Sequence, residues 1–230
     1  MNVQGFQKLT LLDFPGKVAC TVFTGGCNLR CPFCHNASLV EHPRESENRE
    51  AEVLDYLGKR RGILEGVCVT GGEPLLQPDL PLFLRRVKEM GFKTKLDTNG
   101  SDPARLSAVL AEGVVDYVAM DVKSAPETYS LAVGREMEFA PFGESIRILR
   151  ESGVPYEFRT TLVKGIHTES DLFALGELLA GEKRYFLQVF RDSGNLLGEG
   201  YEAFSPEEMN HFLSIVKKRI PEAHLRGQEE

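Results

Sequence analysis

Six short apolar runs, each closed by a loop and nearly all followed by a stretch with helical spacing, limit this chain more than any other feature. They are Val18–Phe23, ending at Gly25 and Gly26; Val67–Thr70, ending at Gly71 and Gly72; Lys93–Thr98, before Asn99 and Gly100; Tyr117–Asp121; Tyr156–Thr161; and Tyr185–Phe190. Short runs rich in β-branched and aromatic residues and ended by glycine read as buried strands. Between them apolar residues recur at helical spacing: Val53, Leu54 and Leu57; Leu80, Phe83, Leu84 and Val87, closed by Gly91; Leu106, Val109 and Leu110, closed by Gly113; Ile146 and Leu149, closed by Gly153. Two later helices declare their starts chemically, at Thr168 with Asp171 and at Ser205 with Pro206 and Glu208. The first is expected to bury Leu172, Leu175 and Leu179, the second Met209, Phe212, Leu213, Val216 and Ile220.

Alternating strands and helices with short connections demand parallel strands and right-handed crossovers. Six units suit an open doubly wound sheet or a curved, incomplete barrel, and the expectation is the second: an α/β fold, a partial (βα)6 barrel of TIM-like type, in a single domain over residues 1–230. No longer repeat, low-complexity tract or linker interrupts it, and 41–50 reads as a polar loop. Chemistry in such folds sits at the carboxyl ends of the strands. Cys27, Gly71 to Pro74, Asp97 to Gly100, Asp121 to Lys123 and Arg159 all fall at or near those ends.

A net charge of −7 with no basic run gives no footprint for nucleic acid or for an anionic membrane surface. No stretch approaches the roughly 20 apolar residues of a membrane span, and the first residues lack a charged start followed by an apolar segment, so a cytoplasmic protein is expected. Of five cysteines, three lie between Cys27 and Cys34, which speaks for a metal or cluster rather than disulfides. Cys20 and Cys68 fall inside strands and read as small buried hydrophobes.

The loop Thr24 to Asn36 carries Cys27, Cys31 and Cys34 with Cys-x3-Cys-x2-Cys spacing. Three thiolates satisfy three irons of a cubane and leave the fourth open to a non-protein ligand. The alternatives are a structural zinc completed by His35 or His42, or three thiols without a ligand, although zinc sites usually bring their ligands as separated pairs. Gly71-Gly72-Glu73-Pro74 after a strand is by itself an ordinary turn, in which Glu73 offers an acceptor to an ammonium group. Asp97-Thr98-Asn99-Gly100 reads equally as a turn, Asp121 with Lys123 as an exposed ion pair, and Arg159 as a salt-bridge partner.

The thiol loop, with Phe33 in the aromatic slot before Cys34, resembles the cluster-binding signature of the radical S-adenosylmethionine (SAM) superfamily. The resemblance implies that Cys27, Cys31 and Cys34 hold a [4Fe-4S] cluster, that SAM binds the open iron, and that one electron cleaves SAM to methionine and a 5′-deoxyadenosyl radical. After such a loop, Gly71, Gly72 and Glu73 resemble the motif that meets the SAM amino group. Asp97, Asp121 and Lys123 resemble the residues that hold the SAM amino acid portion in the activating enzymes of glycyl radical enzymes. Arg159 is a further candidate for a carboxylate or ribose contact, and a monovalent cation beside the SAM carboxylate would carry over to Asp97, Thr98, Met120 and Asp121. The opening Leu11 to Lys17 and the Cys34-His35-Asn36 end of the loop resemble anaerobic ribonucleoside-triphosphate reductase activating proteins and pyruvate formate-lyase activating enzyme. This implies a glycyl radical enzyme as partner, first the anaerobic ribonucleotide reductase, and an electron donor such as flavodoxin or ferredoxin. Asp13 to Gly16 also reads as a plain Pro-Gly turn. With only Cys68 between the loop and the Gly-Gly-Glu-Pro turn, no second cluster is expected. The same SAM site also serves radical SAM enzymes that act on small molecules or peptides.

Overall fold

The computed structural model describes residues 1–41, 43, 49–192 and 194–227. His42 and most of the polar loop 41–50 lie outside them. Eight strands follow in chain order across one sheet: β1 (Val3–Thr10), β2 (Ala19–Thr24), β3 (Gly66–Gly71), β4 (Lys93–Thr98), β5 (Tyr117–Asp121), β6 (Tyr156–Leu162), β7 (Tyr185–Val189) and β8 (His224–Arg226). The six predicted runs are β2 to β7, each within about a residue of its expected limits. The two outer strands are additions. β1 runs antiparallel to β2, with a register shift, and its mix of glycine and polar residues hides the alternation of a strand. β8 has three residues and lies parallel to β7, held by a two-pronged bond from Arg226 to the buried Glu157 at 2.8 and 3.2 Å.

The helices are α1 (Ala37–Glu41), α2 (Arg49–Gly58), α3 (Leu80–Glu89), α4 (Pro103–Ala111), α5 (Tyr129–Val133), α6 (Ala140–Glu151), α7 (Glu169–Leu178) and α8 (Pro206–Val216). α1 and α5 have five residues each, too few to show a period. Among the described residues no helix is long and apolar enough to cross a membrane.

The chain packs as two compact units and passes from one to the other five times, two of them inside β5 and β6. The first comprises Met1–Asn28, Ser38–Ala119 and Pro141–Tyr156. There β2, β3 and β4 pair in parallel, and Val22, Val67, Val69 and Leu96 are fully buried, as are Leu80, Phe83, Leu84 and Val87 of α3. Helix α3 opens with proline and ends with Arg86 and Lys88 in its last turn, where cations meet the negative end of the helix dipole. Phe14 to Lys17 forms a turn with Lys17 N–H donating to Phe14 O at 3.1 Å and Gly16 at φ +68°, so the Pro-Gly reading of this segment holds. Phe14 is buried against Ala19 and Tyr117.

The second unit comprises Leu29–Ala37, Met120–Ala140 and Glu157–Glu230. Both expected caps are present as complete boxes, Thr168 with Asp171 and Ser205 with Glu208. Leu172, Leu175, Leu179, Met209, Phe212, Val216 and Ile220 are buried as expected. Leu213 is only half-buried, and Ile215 takes the place in the core that the spacing had assigned to it.

Candidate cofactor site

In the first unit the glycines of the Gly-Gly-Glu-Pro turn serve the backbone of the neighbouring loop. Gly71 has φ +112°, and a Cβ there would stand 2.5 Å from Thr24 N; one on Gly72 would stand 1.9 Å from Gly26 O. Only glycine lets β3 leave the sheet this close to the residue before Cys27. Glu73 N–H then donates to Gly26 O at 2.8 Å. The Glu73 carboxylate is 1% exposed and accepts from Leu75 N–H at 3.0 Å, the Thr98 hydroxyl at 2.8 Å and Asn99 N–H at 2.7 Å. It braces the end of β4 against the turn after β3. The Asn99 side chain in turn donates to Cys27 Sγ at 3.8 Å and to Asn28 Oδ1 at 3.1 Å. Asn99, read from sequence only as part of a turn, is therefore a contact of the first thiol.

In the second unit α5 and the loop after β7 hold the rest of the thiol loop. Arg30 N–H donates to Val133 O at 2.9 Å, and Gly134 sits at φ +65° with its missing Cβ only 2.0 Å from Arg30 O. Gly198 N–H donates to Pro32 O at 2.8 Å, and Cys34 N–H to Cys31 O at 3.0 Å. Phe33 is buried, its ring 6.3 Å from that of His167, and His35 meets Phe190 edge-on at 5.6 Å.

Lys123 Nζ donates to Asp121 Oδ2 at 3.0 Å and Arg159 Nε to Asp121 Oδ1 at 2.8 Å, so the Asp-x-Lys motif and Arg159 form one ion group. Burial opposes the Asp121 charge, but Arg159 and Lys123 outweigh it and hold the carboxyl well below its usual range. Burial likewise opposes the Lys123 ammonium, and Asp121, with Cys31 and Cys34 beyond it, holds its pKa above the ordinary lysine value. A cation thus stands near two thiols that must be thiolates to ligate iron. His167 fixes the motif from behind: its Nδ1 accepts from Val163 N–H at 3.0 Å, which leaves Nε2–H to donate to Lys123 O at 2.8 Å. Burial lowers its pKa and keeps this neutral tautomer. Neither His167 nor Gly134 carries a sequence pattern that points to this role.

Asp97, on β4, meets two side chains of the first unit. It receives Lys95 Nζ and lies 3.6 Å from Cys68 Sγ. Cys20 is fully buried, and desolvation pushes its thiol up to about 12. The donor set fits a cluster: Cys27, Cys31 and Cys34 lie on one loop and none is in a disulfide, Cys27 and Cys34 being partly exposed. Thiolates on a cubane each meet a different iron and need not converge. Among the described residues no three His, Cys, Asp or Glu side chains are placed to hold a single metal ion.

The model of the radical SAM superfamily matches residues 21–175, and the chain belongs to that superfamily. Its members use a [4Fe-4S] cluster and SAM, so this is a radical SAM enzyme. Within the superfamily several of its relatives carry the names of activating enzymes of glycyl radical enzymes, and others are named a nucleotide dehydratase and a 7-carboxy-7-deazaguanine synthase. A protein of Methanocaldococcus jannaschii with the provisional name of glycyl-radical enzyme activating enzyme is 30% identical over 234 residues, covering 97% of this chain and 95% of its own. The pyruvate formate-lyase-activating enzyme of Clostridium pasteurianum is 28% identical over 168 residues, 70% of this chain and 68% of its own. Among solved structures, a domain of the pyruvate-formate lyase-activating enzyme of Bacteroides vulgatus matches with TM-score 0.58 at 23% identity, over 71% of this chain and 99% of that one. Streptococcus suis SuiB bound to S-adenosylmethionine matches with TM-score 0.68 at 16% identity, over 88% of this chain but 48% of SuiB. These two likenesses are of fold, the partial barrel expected from the strand–helix order.

Proposed function

We propose that this enzyme removes a hydrogen from the Cα of one glycine in a glycyl radical enzyme, and that the partner is the anaerobic ribonucleoside-triphosphate reductase. The observation that carries the first half is the 30% identity, along nearly the whole of both chains, to a protein provisionally named a glycyl-radical enzyme activating enzyme. The resemblance of Leu11 to Lys17 and of Cys34-His35-Asn36 to reductase activating proteins supports the second.

On this reading Cys27, Cys31 and Cys34 hold the cluster, with the Asn99 amide beside Cys27 and the Lys123 ammonium beside the other two. When bound, the cluster and SAM supply one-electron cleavage and the radical. The chain orients them. Asp121 and Lys123, held by Arg159 and by His167, present a charge pair to the amino acid portion of SAM. Gly71, Gly72 and Glu73 shape the turn that meets its amino group, with Thr98 locked to Glu73. Phe33 packs the floor of the thiol loop. A flavodoxin or ferredoxin of the cytoplasm delivers the electron.

Anaerobic reconstitution should give about four irons and four sulfides per chain, since three thiolates support one cubane. Mixing the reduced protein and SAM with the anaerobic reductase should then produce a glycyl doublet in electron paramagnetic resonance. Zinc in place of iron overturns the cluster. SAM cleavage without a doublet on any glycyl radical enzyme of the source organism favours the small-molecule or peptide reading.

A further inference from the structure

The resemblance to activating enzymes of glycyl radical enzymes implies a monovalent cation beside the SAM carboxylate, carried over to Asp97, Thr98, Met120 and Asp121. The donors present here do not fit one. In the first unit, Lys95 and Asp97 lie two apart on β4 and so share one face of the strand, and Cys68 stands opposite Lys95 in the register of β3. The side chain of Lys95 is 1% exposed; its ammonium donates to Asp97 Oδ1 and to Cys68 Sγ, the latter at 3.7 Å. The Thr98 hydroxyl donates to Glu73 and accepts from Gly100 N–H at 3.1 Å. In the second unit, Asp121 already receives both Lys123 and Arg159. Asp97 thus carries one cation of its own unit, and Asp121 two of its own. Another positive charge would meet repulsion at each carboxylate instead of the bare anion that draws a metal ion.

We propose that Lys95 supplies from within the chain the positive charge that the resemblance assigns to a monovalent cation, so that this enzyme binds SAM without potassium or sodium. The inference rests on the proposed SAM site and specifies its charge. A buried lysine needs a reason, since an ammonium out of water is tolerated only when paired and hydrogen-bonded. The Asp97 carboxylate and the Cys68 sulfur meet that need, and the ammonium in turn removes the need for an ion at Asp97.

The test compares potassium, sodium and tetramethylammonium chlorides at equal ionic strength, reading SAM affinity of the cluster-loaded protein and thermal unfolding of the cluster-free protein. Wild type should show the same affinity, to within about two-fold, and the same unfolding temperature in all three salts. In Lys95→Met the Asp97 carboxylate is left without its ammonium. Potassium or sodium should then tighten SAM binding by about five-fold or more over tetramethylammonium and raise the unfolding temperature. Lys95→Met/Asp97→Asn removes both charges, should fold even where the single variant does not, and should be indifferent to the salt. A five-fold potassium effect in wild type overturns the proposal, as does indifference of Lys95→Met in both readouts or a potassium response in the double variant. Absence of SAM binding in every salt is a separate failure, that of the SAM site itself, and the unfolding temperatures still decide the charge at Asp97.

Discussion

Two glycines and one lysine show how much single side chains decide at this site. A methyl group on Gly72 would stand 1.9 Å from Gly26 O, and one on Gly134 would stand 2.0 Å from Arg30 O at a positive φ. Each substitution must displace backbone next to a cysteine of the thiol loop. Gly72→Ala and Gly134→Ala should each cost roughly 1–3 kcal/mol and lower the iron retained after reconstitution. Thermal unfolding of the cluster-free protein and iron per chain would show it, and a Gly72→Ala protein with normal iron and unchanged stability would mean that the turn yields freely. Lys123 differs in kind because its partners are charges and not backbone. Lys123→Ala leaves Asp121 bound to Arg159, so iron content should stay normal while SAM binds about ten-fold more weakly, the scale of a lost hydrogen bond between charged groups. Normal iron with unaltered SAM affinity would remove Lys123 from the site.

At the scale of elements, Asp116 joins three of them. Lying just before β5, it accepts from Thr94 N–H of β4 at 2.9 Å, from Lys88 of α3 at 2.9 Å and from Lys93 of β4 at 3.0 Å. Burial works to raise its pKa, but the Thr94 bond and the two lysines win and bring it from 3.8 down to about 2. A carboxylate depressed in the folded state stabilises fully above its unfolded pKa, and that contribution is lost as the pH falls through the folded value. Asp116→Asn should therefore be about 1–2 kcal/mol less stable than wild type near neutrality, with the difference shrinking between about pH 4 and pH 2. Urea unfolding across that range tests it, and a difference independent of pH would assign the effect to geometry instead of charge. The capping boxes belong to the same scale: Thr168→Ala should cost about 1 kcal/mol by leaving the Asp171 N–H without its acceptor.

For the whole molecule, the decisive fact is that neither compact unit is a contiguous piece of chain. The first unit needs α6, whose Phe142, Ser145, Ile146 and Leu149 are buried, and Val118 N–H donates to Pro155 O at 3.0 Å. A chain ending at Ala140 should consequently lose cooperative unfolding in urea, and a sharp two-state transition in it would show that the first unit closes without α6. The same distribution of the chain explains what was legible beforehand. Six strands, the main helices, both capping boxes and the thiol loop are local patterns, written in residues a few positions apart, and hydrophobic period, cap chemistry and loop spacing follow from neighbours in sequence. β8 was not legible, because three residues carry no period and its anchor is Glu157, 69 positions from Arg226. The contacts of Gly134, His167, Asn99 and Lys95 were not legible either. What Gly134 meets is Arg30 O, what His167 holds is Lys123 O, and what Asn99 touches is Cys27. Lys95 takes its meaning from Asp97 beside it and from Cys68 across the register of two strands. Sequence alone pointed to the chemistry the chain carries, since the thiol loop, with Phe33 before Cys34, is a local pattern that resembles the cluster-binding signature of radical SAM enzymes. Only tertiary structure decided which charges face each carboxylate, because pairing across strands depends on register, and register is set by the packing of the whole sheet.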